Sequence, residues 1–138
     1  MNQFSEDNLV EQTVIKLIKE VWTNDACHIN AFTDEEDAKL GRDSQGEVVL
    51  RKFLLPALKQ INPLLPEDYL QQAVDEITQD RSNTTLVKAN QEVYKLLKDG
   101  FSVNITTEDG NSKIENVKFF DFENPENNHF LCVSQLWV

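Results

Sequence analysis

The sequence predicts an α+β fold: four helices, a β-hairpin and a C-terminal strand that belongs to a sheet still lacking neighbours. Three observations carry this. Apolar residues recur at helical spacing in four stretches before residue 100, and an Asp109-Gly110 turn separates two strand-like runs between 101 and 122. The third is the final run from His129. One alternate set there is Phe130, Cys132, Ser134, Leu136 and Val138, and the other is His129, Leu131, Val133, Gln135 and Trp137. Both sets are largely apolar, as in a strand covered on two sides rather than one alternating between core and water. The sequence stops at Trp137-Val138, so the expectation is a sheet cut part-way through.

Taken in order, Ser5 is placed to cap a first helix over Glu6 to Val21, with Glu6 and Asp7 at its positive end. Val10, Val14, Leu17, Ile18 and Val21 form its apolar stripe. Glu11 lies on the shoulder of that stripe, in line with Ile15, Ile18 and Trp22. Periodicity alone favours a solvated carboxylate there, and the alternative is a carboxylate reaching a pocket beside the core. A short strand is expected around Cys27, Ile29 and Phe32, followed by an acidic loop at Asp34-Glu35-Glu36-Asp37. Adjacent strand residues point to opposite faces, so Cys27 and His28 do not make a nucleophile and base pair, and Cys27 is expected to be buried.

A second helix spans Glu47 to Ile61 on Phe53, Leu54, Ala57 and Leu58, with a kink or break near Leu55 because Pro56 removes a donor and clashes one turn back. Asn62-Pro63 ends it. Pro66 is placed as the first residue of a third helix built on Leu70, Ala73, Val74 and Ile77. The fourth runs from Thr85 to Lys98, with Asn90 near its buried face and Gly100 as left-handed cap. Phe101, Val103 and Ile105 alternate with polar residues in a half-buried strand, Glu108 to Asn111 turn the chain, and the return strand covers Lys113 to Phe122. Phe119, Phe120 and Phe122 mark its buried end. Polar junction residues Ser44, Glu47, Asn90, Asn124, Asn128 and Gln135 are assigned structural roles, satisfying backbone groups.

Composition narrows the function classes. With 138 residues and 40% hydrophobic content the chain is one domain's worth and should fold as one unit. Thirteen basic against 24 acidic residues leave a net charge of −11, which argues against this piece alone gripping phosphate backbones. Cys27 and Cys132 are too few for a zinc ribbon or a disulfide framework. No apolar run approaches the ~20 residues a bilayer needs, so no membrane partner is expected and the protein is read as cytoplasmic. The glycines are scattered, the histidines lack metal-ligand spacing, and no serine sits in a nucleophile elbow. From the residues alone the chain is an acidic α+β domain, with a free-standing acidic interaction module or DNA mimic as one possible function.

Five phrases in order do carry a resemblance: FSEDNLVEQTVIKLIKEVW, GRDSQGEVVL, INPLLP, ANQEVYKLLKDG and FDFENPENNHFLCVSQLWV. Along essentially its whole length the chain resembles the N-terminal region of the restriction (R, or HsdR) subunit of type I restriction-modification enzymes. That resemblance implies an incomplete restriction-endonuclease-like domain. Residues 1–22 would be its first core helix, 47–98 a helical elaboration, and 101–138 the hairpin and first core strand. It implies an Mg²⁺-dependent PD-(D/E)xK nuclease joined to an ATP-driven translocase, acting on DNA with modification and specificity subunits. The family's metal-binding Asp and Glu-x-Lys fall on strands after the final phrase and are absent here. Glu11 matches the acidic position on the first core helix that assists metal coordination, with Glu6 as second candidate if the register slips. Neither holds a catalytic metal alone, so no bound cofactor and no cleavage are expected of this piece by itself. Its unpaired final strand is expected to promote self-association. Pro56 departs from the family's pattern, in which helix formers are commoner there.

Overall fold

The computed structural model describes residues 7–22 and 26–138. It is mixed α and β, as expected. The chain divides into two compact units, Met1–Leu50 with His129–Val138, and Arg51–Asn128. The predicted cap at Ser5 and the candidate ligand Glu6 lie outside the described residues.

In the first unit a π-helical turn, Asp7–Glu11, leads into helix α1, Gln12–Val21. Of the predicted stripe only Ile18 is on the buried face. Ile15 is 6% exposed and Ile18 half-buried, whereas Val10, Val14, Leu17 and Val21 are exposed by 46 to 69%. The inward side is therefore the shoulder row, with Ile15 buried, Glu11 and Ile18 half-buried and Trp22 36% exposed at its end, and the more apolar row faces outward. Trp22 closes that row by stacking on Phe130, with ring centroids 4.1 Å apart and planes at 24°.

Strand β1, Ala26–Asn30, pairs in parallel with the last strand, which we label β4, Phe130–Ser134; Cys27 lies opposite Leu131 and His28 opposite Cys132. These two strands make up their whole sheet among the described residues. The last strand ends at Ser134, short of Val138, and Leu136, Trp137 and Val138 are exposed. The acidic run expected as a loop is a short helix, α2, Asp34–Ala38. Thr33 caps it, with Oγ1 accepting from the Glu36 N–H at 3.3 Å. Four carboxylates in the first turn suit the positive end of the helix dipole, so their clustering marks a helix start.

The second unit begins with α3, Arg51–Ile61, starting four residues later than predicted and running unbroken through Pro56. The proline deprives one carbonyl, that of Lys52, and Pro56 sits on the exposed side, where water can satisfy the freed group. Asn62 is buried and bonds Lys118 twice, donating from Nδ2 to its carbonyl at 2.8 Å and accepting its N–H at 2.9 Å. Pro66 caps α4, Glu67–Thr78, one position earlier than expected, and α4 buries Leu70, Ala73, Val74 and Ile77 against α3 and the hairpin. Helix α5, Leu86–Asp99, has Thr85 as its cap, and Asn90 is exposed rather than near a buried face.

Gly100 closes α5 with φ +82°, as expected. Strands β2, Phe101–Thr106, and β3, Ser112–Val117, form the antiparallel hairpin, turning at Gly110 with φ +76°. The return strand stops at Val117, not Phe122. Of the three phenylalanines only Phe119 is buried, because beyond Val117 the chain bends to meet Asn62 and then Asp121.

Candidate functional site

Glu11 is the last residue of the π-helical turn and the N-cap of α1. π-Type turns inside helices recur at functional sites because they re-aim one side chain without ending the helix. Here the turn delivers the Glu11 carboxylate to the end of β4, where Gln135 Nε2 donates to Oε1. Oε2, the second oxygen, is buried and has no hydrogen-bond partner. A carboxylate oxygen without a donor in a dry position is costly unless something cationic or a donor meets it. Glu11 is thus not the solvated carboxylate that periodicity favours.

Gln135 is also the sole non-glycine among the described residues with positive φ, at +56°. Its side chain serves a carboxylate rather than the backbone role expected for it. No signal in the sequence pairs residues 11 and 135, since a strand-end glutamine is ordinarily a solvated one. Below this pair the sheet carries His28 Nε2 at 2.8 Å from Ser134 Oγ, and Cys27 Sγ at 3.7 Å from His129 Nε2. Cys27 and His28 are separated across the strand as expected, but Cys27 is exposed rather than buried.

The segment that follows β4 is anchored by Arg42, unremarked in the sequence. Its side chain is 1% exposed and pairs with Asp37 Oδ1 at 2.5 Å. It donates to the Trp137 carbonyl at 2.9 Å and the Gln45 carbonyl at 3.0 Å. An arginine so buried needs its charge paired, and Asp37 on α2 provides that. Glu47 supports the same loop by accepting the Asp43 N–H at 2.9 Å.

The approach to β4 is built around Asp121 in the second unit. Its Oδ1 accepts N–H groups of Glu123 and Asn124 at 3.2 and 2.9 Å, and its Oδ2 accepts Asn127 Nδ2 at 2.9 Å. Asn128 returns the favour: Oδ1 accepts the Asp121 N–H, while Nδ2 donates to the carbonyls of Asp121 and Pro125. The Asn127 amide, then the Asn124 N–H, hold the Asp121 carboxyl below the usual carboxylate range, burial opposing them in part. Asp80 is lowered likewise by the N–H of Ser82, then its hydroxyl.

Glu11 supplies one free buried oxygen, and among the described residues no group of three or more His, Cys, Asp or Glu could hold a metal ion. A single carboxylate oxygen falls short of the donor set that a metal site needs. No helix among the described residues is long and apolar enough to cross a membrane.

Comparison with known proteins gives the chain its context. The sequence pattern of the type I restriction enzyme R protein N terminus matches residues 3–138. The chain belongs to that family. It is 38% identical over 102 residues, 74% of this chain, to the endonuclease subunit of the type I restriction enzyme HindI of Haemophilus influenzae. It is 28% identical over 136 residues, 99% of this chain, to the putative type I restriction enzyme MjaIXP endonuclease subunit of Methanocaldococcus jannaschii. The chain spans 10 and 12% of the lengths of these relatives. No solved structure matches it.

Proposed function

We propose that this R-protein N-terminal region forms the opening part of an Mg²⁺-dependent DNA nuclease, to which it contributes Glu11 as an auxiliary metal ligand. The nuclease is coupled to an ATP-driven translocase and works in the cytoplasm with modification and specificity subunits. Family membership supports the setting, and the partnerless buried Oε2 of Glu11 is the observation that supports the role. Mg²⁺, when bound, polarises a phosphoryl oxygen and makes water a nucleophile near neutral pH. The residues of this region do something simpler. Glu11 presents a negative oxygen from the end of a packed helix, Gln135 fixes its rotamer through Oε1, and the Trp22–Phe130 stack pins α1 to the sheet.

Among the described residues no group of three or more His, Cys, Asp or Glu could hold a metal ion, so isolated chain and Mg²⁺ should leave DNA intact. In the intact R subunit with its partner subunits, Glu11→Gln keeps the shape and the contact to Gln135 but removes the charge. Cleavage should fall about ten- to hundredfold, as for loss of one supporting metal contact, with ATP hydrolysis unchanged. Wild-type cleavage by Glu11→Gln would refute the role, and cleavage by the isolated chain would refute the incomplete centre.

A further inference from the structure

We infer that Gln135 is a positioning residue for the nuclease centre, held in a left-handed backbone conformation so that its amide orients Glu11; the inference rests on the metal-ligand role proposed above. The geometry behind it is a matter of parity. Trp22 stacks on Phe130, so the Glu11–Ile15–Ile18–Trp22 row of α1 faces the side of β4 that carries Phe130, Cys132 and Ser134. Side chains alternate along a strand, and a fully extended Gln135 would point to the other side, with Leu131 and Val133. Instead the strand ends at Ser134 and Gln135 takes φ +56°, a region that residues with a Cβ adopt only where something holds them there.

That turn gives Gln135 Nε2 its contact with Glu11 Oε1. The Arg42 guanidinium holds the Trp137 carbonyl two residues further on, so the chain leaving the turn is fixed as well. A glutamine has one donor end and one acceptor end. Using the donor on Oε1 fixes the carboxylate plane and leaves Oε2 as the free ligand atom. Were the turn needed only to end the strand, glycine would serve at lower strain, and the amide would be incidental.

Gln135→Gly separates the two cases, because it relaxes the backbone and deletes the amide together. The test uses the intact R subunit, with Mn²⁺ as the probe, bound ion being counted by paramagnetic resonance and stability followed by thermal unfolding. Gln135→Gly should retain or raise the unfolding temperature yet weaken Mn²⁺ binding about ten- to hundredfold, the range typical of lost outer-shell support. Glu11→Gln should weaken it at least as much, and adding Gln135→Gly to Glu11→Gln should cost nothing further, as expected when one residue acts through the other. Wild-type Mn²⁺ affinity in Gln135→Gly beside a weakened Glu11→Gln, or full additivity in the double variant, overturns the positioning role and leaves the metal role of Glu11 standing. Unchanged affinity in Glu11→Gln removes the proposed function itself, and the inference with it.

Discussion

Asp121 shows how much one side chain can organise when its neighbours are all donors. Three groups bond its two oxygens, and each favours the ionised form, so the folded state lowers its pKa below the unfolded value near 3.9. A depressed carboxyl stabilises the fold fully above the unfolded pKa and loses that contribution as pH falls through the folded one. In Asp121→Asn the donors meet an uncharged amide. The stability gap between wild type and variant should therefore be widest near neutral pH and narrow below about pH 4, which urea unfolding across pH 2.5 to 7 will measure; a gap independent of pH would show that the charge does not matter. Gly100 gives a second test. A Cβ there would lie 2.5 Å from both Asn116 Nδ2 and the Val117 carbonyl oxygen, at φ +82°. The carbonyl belongs to β3 and cannot swing aside. Gly100→Ala should cost more than the ~1–3 kcal/mol of backbone strain alone, since φ +82° with ψ −172° is a region kept almost entirely to glycine, seen as a lowered thermal midpoint. Gly100 was legible in the sequence as a cap. Its close approach to β3 was not, because that depends on the docking of helix and hairpin.

At the level of elements, local chemistry was legible and facing was not. The helix boundaries at Asn62-Pro63, Thr85 and Gly100 and the Asp109-Gly110 turn follow from backbone restrictions on single residues, and these emerge as expected. Periodicity identifies α1 as a helix but points its apolar stripe inward, whereas the structure turns the Glu11–Ile15–Ile18–Trp22 row to the sheet. A hydrophobic stripe records every surface a helix covers across a whole protein, so a stripe can await a partner. Two truncations in the 138-residue chain distinguish these orientations. Ile15→Ala, at a site 6% exposed, should destabilise the first unit by about 2–4 kcal/mol. Leu17→Ala, at 53% exposure, should change stability by less than about 0.5 kcal/mol. Denaturant midpoints report both, and the reverse ranking would restore the stripe predicted from periodicity. The functional pair was half visible: Glu11 stood out by its place on the helix shoulder, while Gln135 required the strand end and its positive φ.

For the whole molecule, the open sheet and the net charge of −11 pull in opposite directions. Strands β1 and β4 pair only with each other among the described residues, leaving backbone groups along two edges able to accept another strand. Beside them Phe32, Leu136, Trp137 and Val138 are exposed. Like charge opposes the approach of a second copy, but at physiological salt the repulsion is screened beyond about 8 Å. Edge pairing and apolar contact act within that distance and are not weakened by salt. The 138-residue chain should therefore self-associate, and more strongly at 0.5 M than at 0.02 M salt, in sedimentation velocity over a concentration series. Trp137→Glu with Val138→Glu places charge of the prevailing sign on the exposed apolar end, where the native side chains are 59 and 77% exposed and their loss should not unfold the chain. Association should drop in this variant at every salt concentration. A monomer at all concentrations and both salts would mean that the two edges are protected without a partner, and the sheet would then be self-sufficient as it stands.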